Sequence, residues 1–315
     1  MKKFLIYLAA FSVLFLIYDR LFLFFIYASP SKESDKRLEL VLNGKINKDI
    51  IVMGSSSGAR DIIASQLEKE TKQTVYNLSY PGSNIEFHEF LLRSLLTFNS
   101  TPKMVILTLD GPNEVLPDSM LTFRLDRLYP LIKYDYINKE LIDRNEKNAI
   151  LSKLFVLHKM TKANFDLRQK KFTALDTVFS DGSMPISFQK ENVNWNEKLE
   201  DTIYQLQKES KVKIKCLQKI VTVCKQHNIK LLLVFPPNFR EITPMFEKRM
   251  LQIAGKNSWF YEYDASNKIY TNKDYYFDLN HLKRNGAVIF THEIADYLSK
   301  QNSLQTSNLQ AGKSN

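Results

Sequence analysis

Four short stretches hold residue types that could move an acyl group. Gly54-Ser55-Ser56-Ser57-Gly58 follows an apolar run. A serine on a tight strand-to-helix turn is presented at a sheet edge, where a nucleophile must be. It also lies beside the free N–H groups of a helix start, which favour a developing oxyanion. Taken alone, a Ser-Gly cluster is an ordinary turn, and three serines compete for the role. Asn77-Leu78-Ser79-Tyr80-Pro81-Gly82 follows a second apolar run, and Gly82 lets backbone come close to a ligand. Asp110-Gly111-Pro112-Asn113-Glu114 follows a third, where the Asn113 amide could donate to an oxyanion or cap a turn. Asp278-Leu279-Asn280-His281 stands far downstream. An acid three residues before a histidine can orient the imidazole, which then acts as base toward a serine hydroxyl. The same pair could also bind a metal or cap the helix that follows.

The elements around these stretches predict how they meet. Residues 49–54, 75–79, 104–109, 229–235 and 259–263 read as strands, mostly continuous apolar runs bounded by turn residues. Residues 61–72, 85–98, 203–227 and 282–298 show helical spacing. Strands that alternate with helices and are apolar on both faces imply a parallel sheet covered on both sides. Ligands bind beyond the carboxyl ends of the strands in such sheets, which is where all four stretches fall. Residues 115–199 break the alternation and are too long for a plain loop; they read as a mostly helical insertion.

Lys2 and Lys3 precede an apolar run of about 25 residues, enough to cross a hydrocarbon core that needs roughly 20 in helix. Asp19 and Arg20 interrupt the run. They fit either the outer interface or a protein partner within the membrane. The lysines argue that the remainder lies outside the cytoplasmic membrane, behind an uncleaved single-pass anchor. Residues 29–40 then read as a polar linker and 301–315 as a disordered tail. With 315 residues, 44% hydrophobic, the chain can bury a sizeable core. The net charge of +10 favours acidic partners, yet no motif selects nucleic acid. Cys216 and Cys224 lie eight residues apart in a predicted helix, about 12 Å along its axis, too far for a disulfide; they read as small buried residues. No zinc pattern or cofactor motif is present.

The order of the four stretches resembles that of the SGNH (GDSL-like) hydrolases. Block I is similar to Gly54-Ser55-Ser56, block II ends on Gly82, block III is similar to Gly111-Pro112-Asn113-Glu114, and block V to Asp278–His281 followed by Leu282 and Gly286-Ala287. Serine stands at 55 and Glu114 at the last block III position where the family has aspartate. The resemblance implies an α/β, flavodoxin-like three-layer sandwich with a central parallel sheet over residues 41–300, which the insertion at about 115–200 interrupts and the N-terminal transmembrane helix at 1–28 precedes. It selects Ser56 as nucleophile with His281 and Asp278, and Ser56, Gly82 and Asn113 as the oxyanion hole. The anchor and insertion look most like the envelope branch of the superfamily, which includes proteins of teichoic-acid D-alanylation and alginate-type O-acetylation. That implies ester hydrolysis or O-acyl transfer on an envelope glycan, without cofactor or metal, beside a multi-span membrane acyl donor in the transfer case. A reading from another class is a catalytically silent accessory protein whose sheet edge binds glycan and whose charge grips an acidic polymer.

Overall fold

A computed structural model describes residues 1–117, 120–166, 168–195, 204–239, 244–256 and 258–311. They fall into two compact units: 1–42 with 124–172, and 43–123 with 173–315. Residues 173–195, grouped with the insertion in the sequence reading, belong to the second unit.

The second unit is an α/β fold around five parallel strands. These are β1 (Ile50–Met53), β2 (Val75–Asn77), β3 (Met104–Thr108), β4 (Lys230–Phe235) and β5 (Trp259–Glu262), in the order β2-β1-β3-β4-β5. Side chains alternate across a strand. Ile50, Val52, Met104, Ile106, Leu232 and Val234 pack on one face against the helices Ala64–Thr71 and Arg284–Ala311, through Leu67, Phe290 and Ile294. On the other face Phe235 meets Phe246 of the helix Pro244–Ala254, which packs on Lys211–Gln226; that helix in turn packs on Ile85–Phe98. The flavodoxin-like order reverses direction between β1 and β3, and the crevice at such a switch point is where this architecture holds ligands. A two-stranded hairpin, β6 (Tyr276–Asp278) and β7 (His281–Leu282), precedes the last helix.

Several boundaries differ from the sequence reading. The predicted helix over 61–72 is two helices, Ser56–Asp61 and Ala64–Thr71. The chain turns extended at Ile62 and Ile63 so that both can bury. The closing helix continues to Ala311, through the stretch expected to be disordered; no glycine or proline interrupts it after Gly286. Residues 312–315 of that tail lie outside the described residues. The helix expected over 203–227 begins only at Lys211, where the Ser210 side chain caps it; of its expected start, residue 203 lies outside the described residues and 206–208 form a 3-10 turn. Cys216 and Cys224 are buried and form no disulfide among the described residues, and burial pushes the Cys224 thiol up to about 12.

The first unit holds a helix over Lys2–Lys32 whose length and apolar composition suffice to cross a membrane. Phe4, Leu14 and Ile17 are among its exposed apolar residues. Asp19 is fully buried. Its carboxylate accepts from the Val156 and Leu157 N–H groups at 2.8 and 3.0 Å, and the Arg20 guanidinium donates to Leu154 O at 3.3 Å. The charged pair is therefore met by the chain's own insertion. Phe22 and Phe25 pack on Phe165, and Ser29 bonds Asn164. The expected linker is largely helical, through Lys32 and again over Arg37–Leu42, with a buried Arg37–Asp35 ion pair at 2.7 Å. Asp19→Ala strands two N–H groups, each worth about 1–3 kcal/mol when left unpaired. Amide exchange at Val156 and Leu157 should accelerate in the full-length protein in micelles; unaltered protection would contradict the account.

Candidate active site

The chain leaves β1 at Met53 and turns at Gly54, whose φ is +154°. A Cβ here would sit 1.8 Å from the Thr108 hydroxyl of β3, so only glycine permits the two strand ends to close. The helix Ser56–Asp61 starts directly after. Buried Asn77, at the end of β2, fixes its far end by donating to Gly58 O and Ile62 O at 2.7 and 3.0 Å.

Three contacts join this short helix to the β6–β7 hairpin. Ser56 Oγ lies 2.8 Å from His281 Nε2, across 225 positions of sequence. Ser57 Oγ donates to Asn280 O at 3.4 Å. Leu282 N–H donates to Asp61 Oδ1 at 3.0 Å. Behind the imidazole, His281 Nδ1 lies 2.7 Å from Asp278 Oδ1. Burial works to raise the Asp278 carboxyl, but the His281 hydrogen bond and charge, the Asn280 N–H and the Arg60 charge outweigh it and hold it below the usual range. An ionised Asp278 accepts from Nδ1–H, which leaves Nε2 as the acceptor facing the serine hydroxyl.

The three serines part company here. Ser56 reaches the imidazole and is partly exposed. Ser57 is spent on Asn280 and on Asp110, whose Oδ2 accepts from Ser57 N–H at 3.3 Å. Ser55 is fully buried, and its hydroxyl is turned to the Asp110 carboxyl rather than to the imidazole. Gly82 adopts φ +74° in the turn after β2, and Asn113 is exposed on a short 3-10 turn after β3. None of the N–H groups of Ser56, Gly82 or the Asn113 side chain is engaged in a hydrogen bond among the described residues.

A second serine–histidine contact, Ser83 Oγ to His88 Nε2 at 2.8 Å, is a different object. Both residues are fully buried, and burial drives the imidazole down to about 3, so it stays neutral. Ser83 also bonds Gly54 O and Tyr80 O and so braces the turn beside the site.

Two acids escaped the sequence reading. Asp61 and Asp110 stand in turn-like contexts that give no sign of burial, yet both are enclosed. Burial, reinforced for Asp61 by the neighbouring Asp110, raises both carboxyls above their usual range. The one available signal for Asp61 was its place on the segment that carries Ser56, just ahead of two isoleucines.

No family model matches this sequence, and no curated protein matches it. Solved structures do. One is the crystal structure of the psychrotrophic esterase EstA from a Pseudoalteromonas species, inhibited by monoethylphosphonate. It aligns with 81% of this chain and 99% of its own, at 13% identity and a TM-score of 0.40.

Asp61 supplies a test of the helix–hairpin clasp. Its raised value means that, above pH 3.8, the folded chain keeps a proton that the unfolded chain has released, so this residue's contribution to stability declines as pH rises. Asp61→Asn keeps an acceptor for Leu282 and removes the titration. Its stability relative to the parent should climb with pH in urea unfolding, and a flat difference would contradict the burial account. Asp61→Ala should lose about 1–3 kcal/mol by leaving the Leu282 N–H unpaired.

Proposed function

We propose that this chain is a serine-dependent acyl-transfer enzyme of the SGNH type, with Ser56 as nucleophile, His281 as general base and acid, and Asp278 as the group that orients the imidazole. The observation that supports it most is the unbroken Ser56–His281–Asp278 relay at 2.8 and 2.7 Å, placed at the switch point of a parallel sheet. Ser56 Oγ gives its proton to His281 Nε2 as it bonds the carbonyl carbon of an ester. The imidazolium, steadied by Asp278, returns that proton to the departing alcohol oxygen, leaving an acyl-Ser56. Water or a sugar hydroxyl then attacks, with the same imidazole as base. The unspent N–H groups of Ser56, Gly82 and Asn113 suit the oxyanion, and one such donor is worth about 3 kcal/mol of barrier.

The fuller reading is O-acyl transfer or ester hydrolysis on a cell-envelope glycan. Lys2 and Lys3 hold the start of the anchor in the cytoplasm, which puts the α/β unit on the outer side. An integral membrane protein is the expected acyl donor if the reaction is transfer. Two features of the first and second units favour this: the apolar helix over Lys2–Lys32 and the chain's +10 charge, which suits an anionic polymer.

In micelles, the full-length protein should release nitrophenol from p-nitrophenyl acetate and take up a fluorophosphonate label. Ser56→Ala should cut turnover by roughly a thousandfold or more and abolish labelling. A folded Ser56→Ala variant that turns over normally sinks the nucleophile assignment, and a parent that never labels favours the silent accessory protein. For topology, exposed Lys69 replaced by cysteine should react with an impermeant maleimide in intact cells, because Cys216 and Cys224 are buried. Reaction only after lysis would place the unit in the cytoplasm.

A further inference from the structure

A cleft of about 460 Å³ is lined by Arg60, Phe188, Lys190, Glu191 and Phe277 among others. Each wall is tied to an element that carries the relay. Arg60 stands one helical turn beyond Ser56 on the helix Ser56–Asp61, and residues at that spacing share a face. Phe277 directly precedes Asp278 on β6. The opposite wall is main chain pinned to both: Met184 N–H donates to Ala59 O at 2.7 Å, Arg284 N–H to Ile186 O at 2.7 Å, and Lys190 N–H to Phe277 O at 2.9 Å. Phe188 meets Phe277 edge-on at 5.6 Å between ring centroids.

Arg60 is the unexplained feature. Its guanidinium lies over the Phe277 ring at 5.8 Å. It makes no hydrogen bond and no ion pair among the described residues, and its Nε is shut off from solvent without a partner. Asp61, Asp278, Asp176 and Asp110 are near enough to act on its charge, yet none bonds it. A half-buried fork of N–H donors with nothing to hold is costly for the fold. It is also the geometry that grips a carboxylate or phosphate in two places at once. Lys190 adds a second cation at the rim beside Glu191, and the two aromatic rings offer an apolar face to the carbon skeleton of a ligand.

We infer that this cleft seats an anionic group, a carboxylate or a phosphate, on the alcohol half of the substrate, with Arg60 as the residue that selects it. The alcohol side follows from the mechanism proposed above, on which this inference rests: His281 returns its proton to the alcohol oxygen, so that half of the ester lies on the side of the imidazole. The acceptor would then be an acidic or phosphorylated sugar rather than a neutral one.

Paired esters test this. 4-Acetoxybenzoate carries a carboxylate on its leaving alcohol, and phenyl acetate carries none. In the full-length protein, Arg60→Met should lower the kcat/KM ratio of the charged to the neutral ester at least tenfold, chiefly through KM, and Arg60→Lys should recover part of it. A ratio that does not move overturns the inference while leaving the acyl-transfer reading intact. Failure of the parent on both esters counts against that reading instead, and a binding measurement then decides the cleft. At matched ionic strength, sodium glucuronate or inorganic phosphate should raise the Tm of Ser56→Ala but not of Ser56→Ala with Arg60→Met, with glucose inert. A response to glucuronate alone assigns a carboxylate, and one to phosphate alone a phosphate. No response to either anion, or an equal response without Arg60, overturns the inference.

Discussion

The site hangs on how a six-residue helix is gripped from both sides. Asn77 holds the Ser56–Asp61 helix to the end of β2, and Asp61 holds it to Leu282 on β7. The second grip is the more demanding. A carboxyl enclosed on all sides bears a large desolvation cost, offset by the bond from Leu282 N–H and by keeping its proton. Because Leu282 is the next residue after His281, fixing its backbone also fixes where the imidazole can point. The Ser56–His281 distance is thus set by a contact made elsewhere, between two groups outside the relay.

Much of this was legible in the residues. The strands β1, β3 and β4 each carry a continuous apolar run of four or more residues, and a chain buried on both faces of a parallel sheet must look that way. The turn residues after them marked the crevice. Legibility failed where long-range contacts overrode local pattern. Ile62 and Ile63 continue a plausible helical spacing, but Ile63 N–H bonds the Thr291 hydroxyl of the last helix instead of a carbonyl in its own turn. Residues 173–191 carry little periodicity because they are held by main-chain bonds to Ala59, Asn77 and Phe277 rather than by an apolar stripe. Asp19 looked like a charge stranded in an apolar helix. Its acceptors' partners, the Val156 and Leu157 N–H groups, are backbone, and a side chain's taste for backbone leaves no trace in sequence.

The relay joins two ends of one chain. Ser56 sits just after the first strand, while His281 waits until four further strands of the central sheet have been laid down. A ribosome would release the 225 positions between them before hydroxyl and imidazole could first meet. On the proposed mechanism, the serine until then has nothing to take its proton, and a half-made molecule carries an unactivated alcohol. Synthesis itself, on that mechanism, acts as a safety catch: reactivity arrives only when the sheet that must restrain it is already complete.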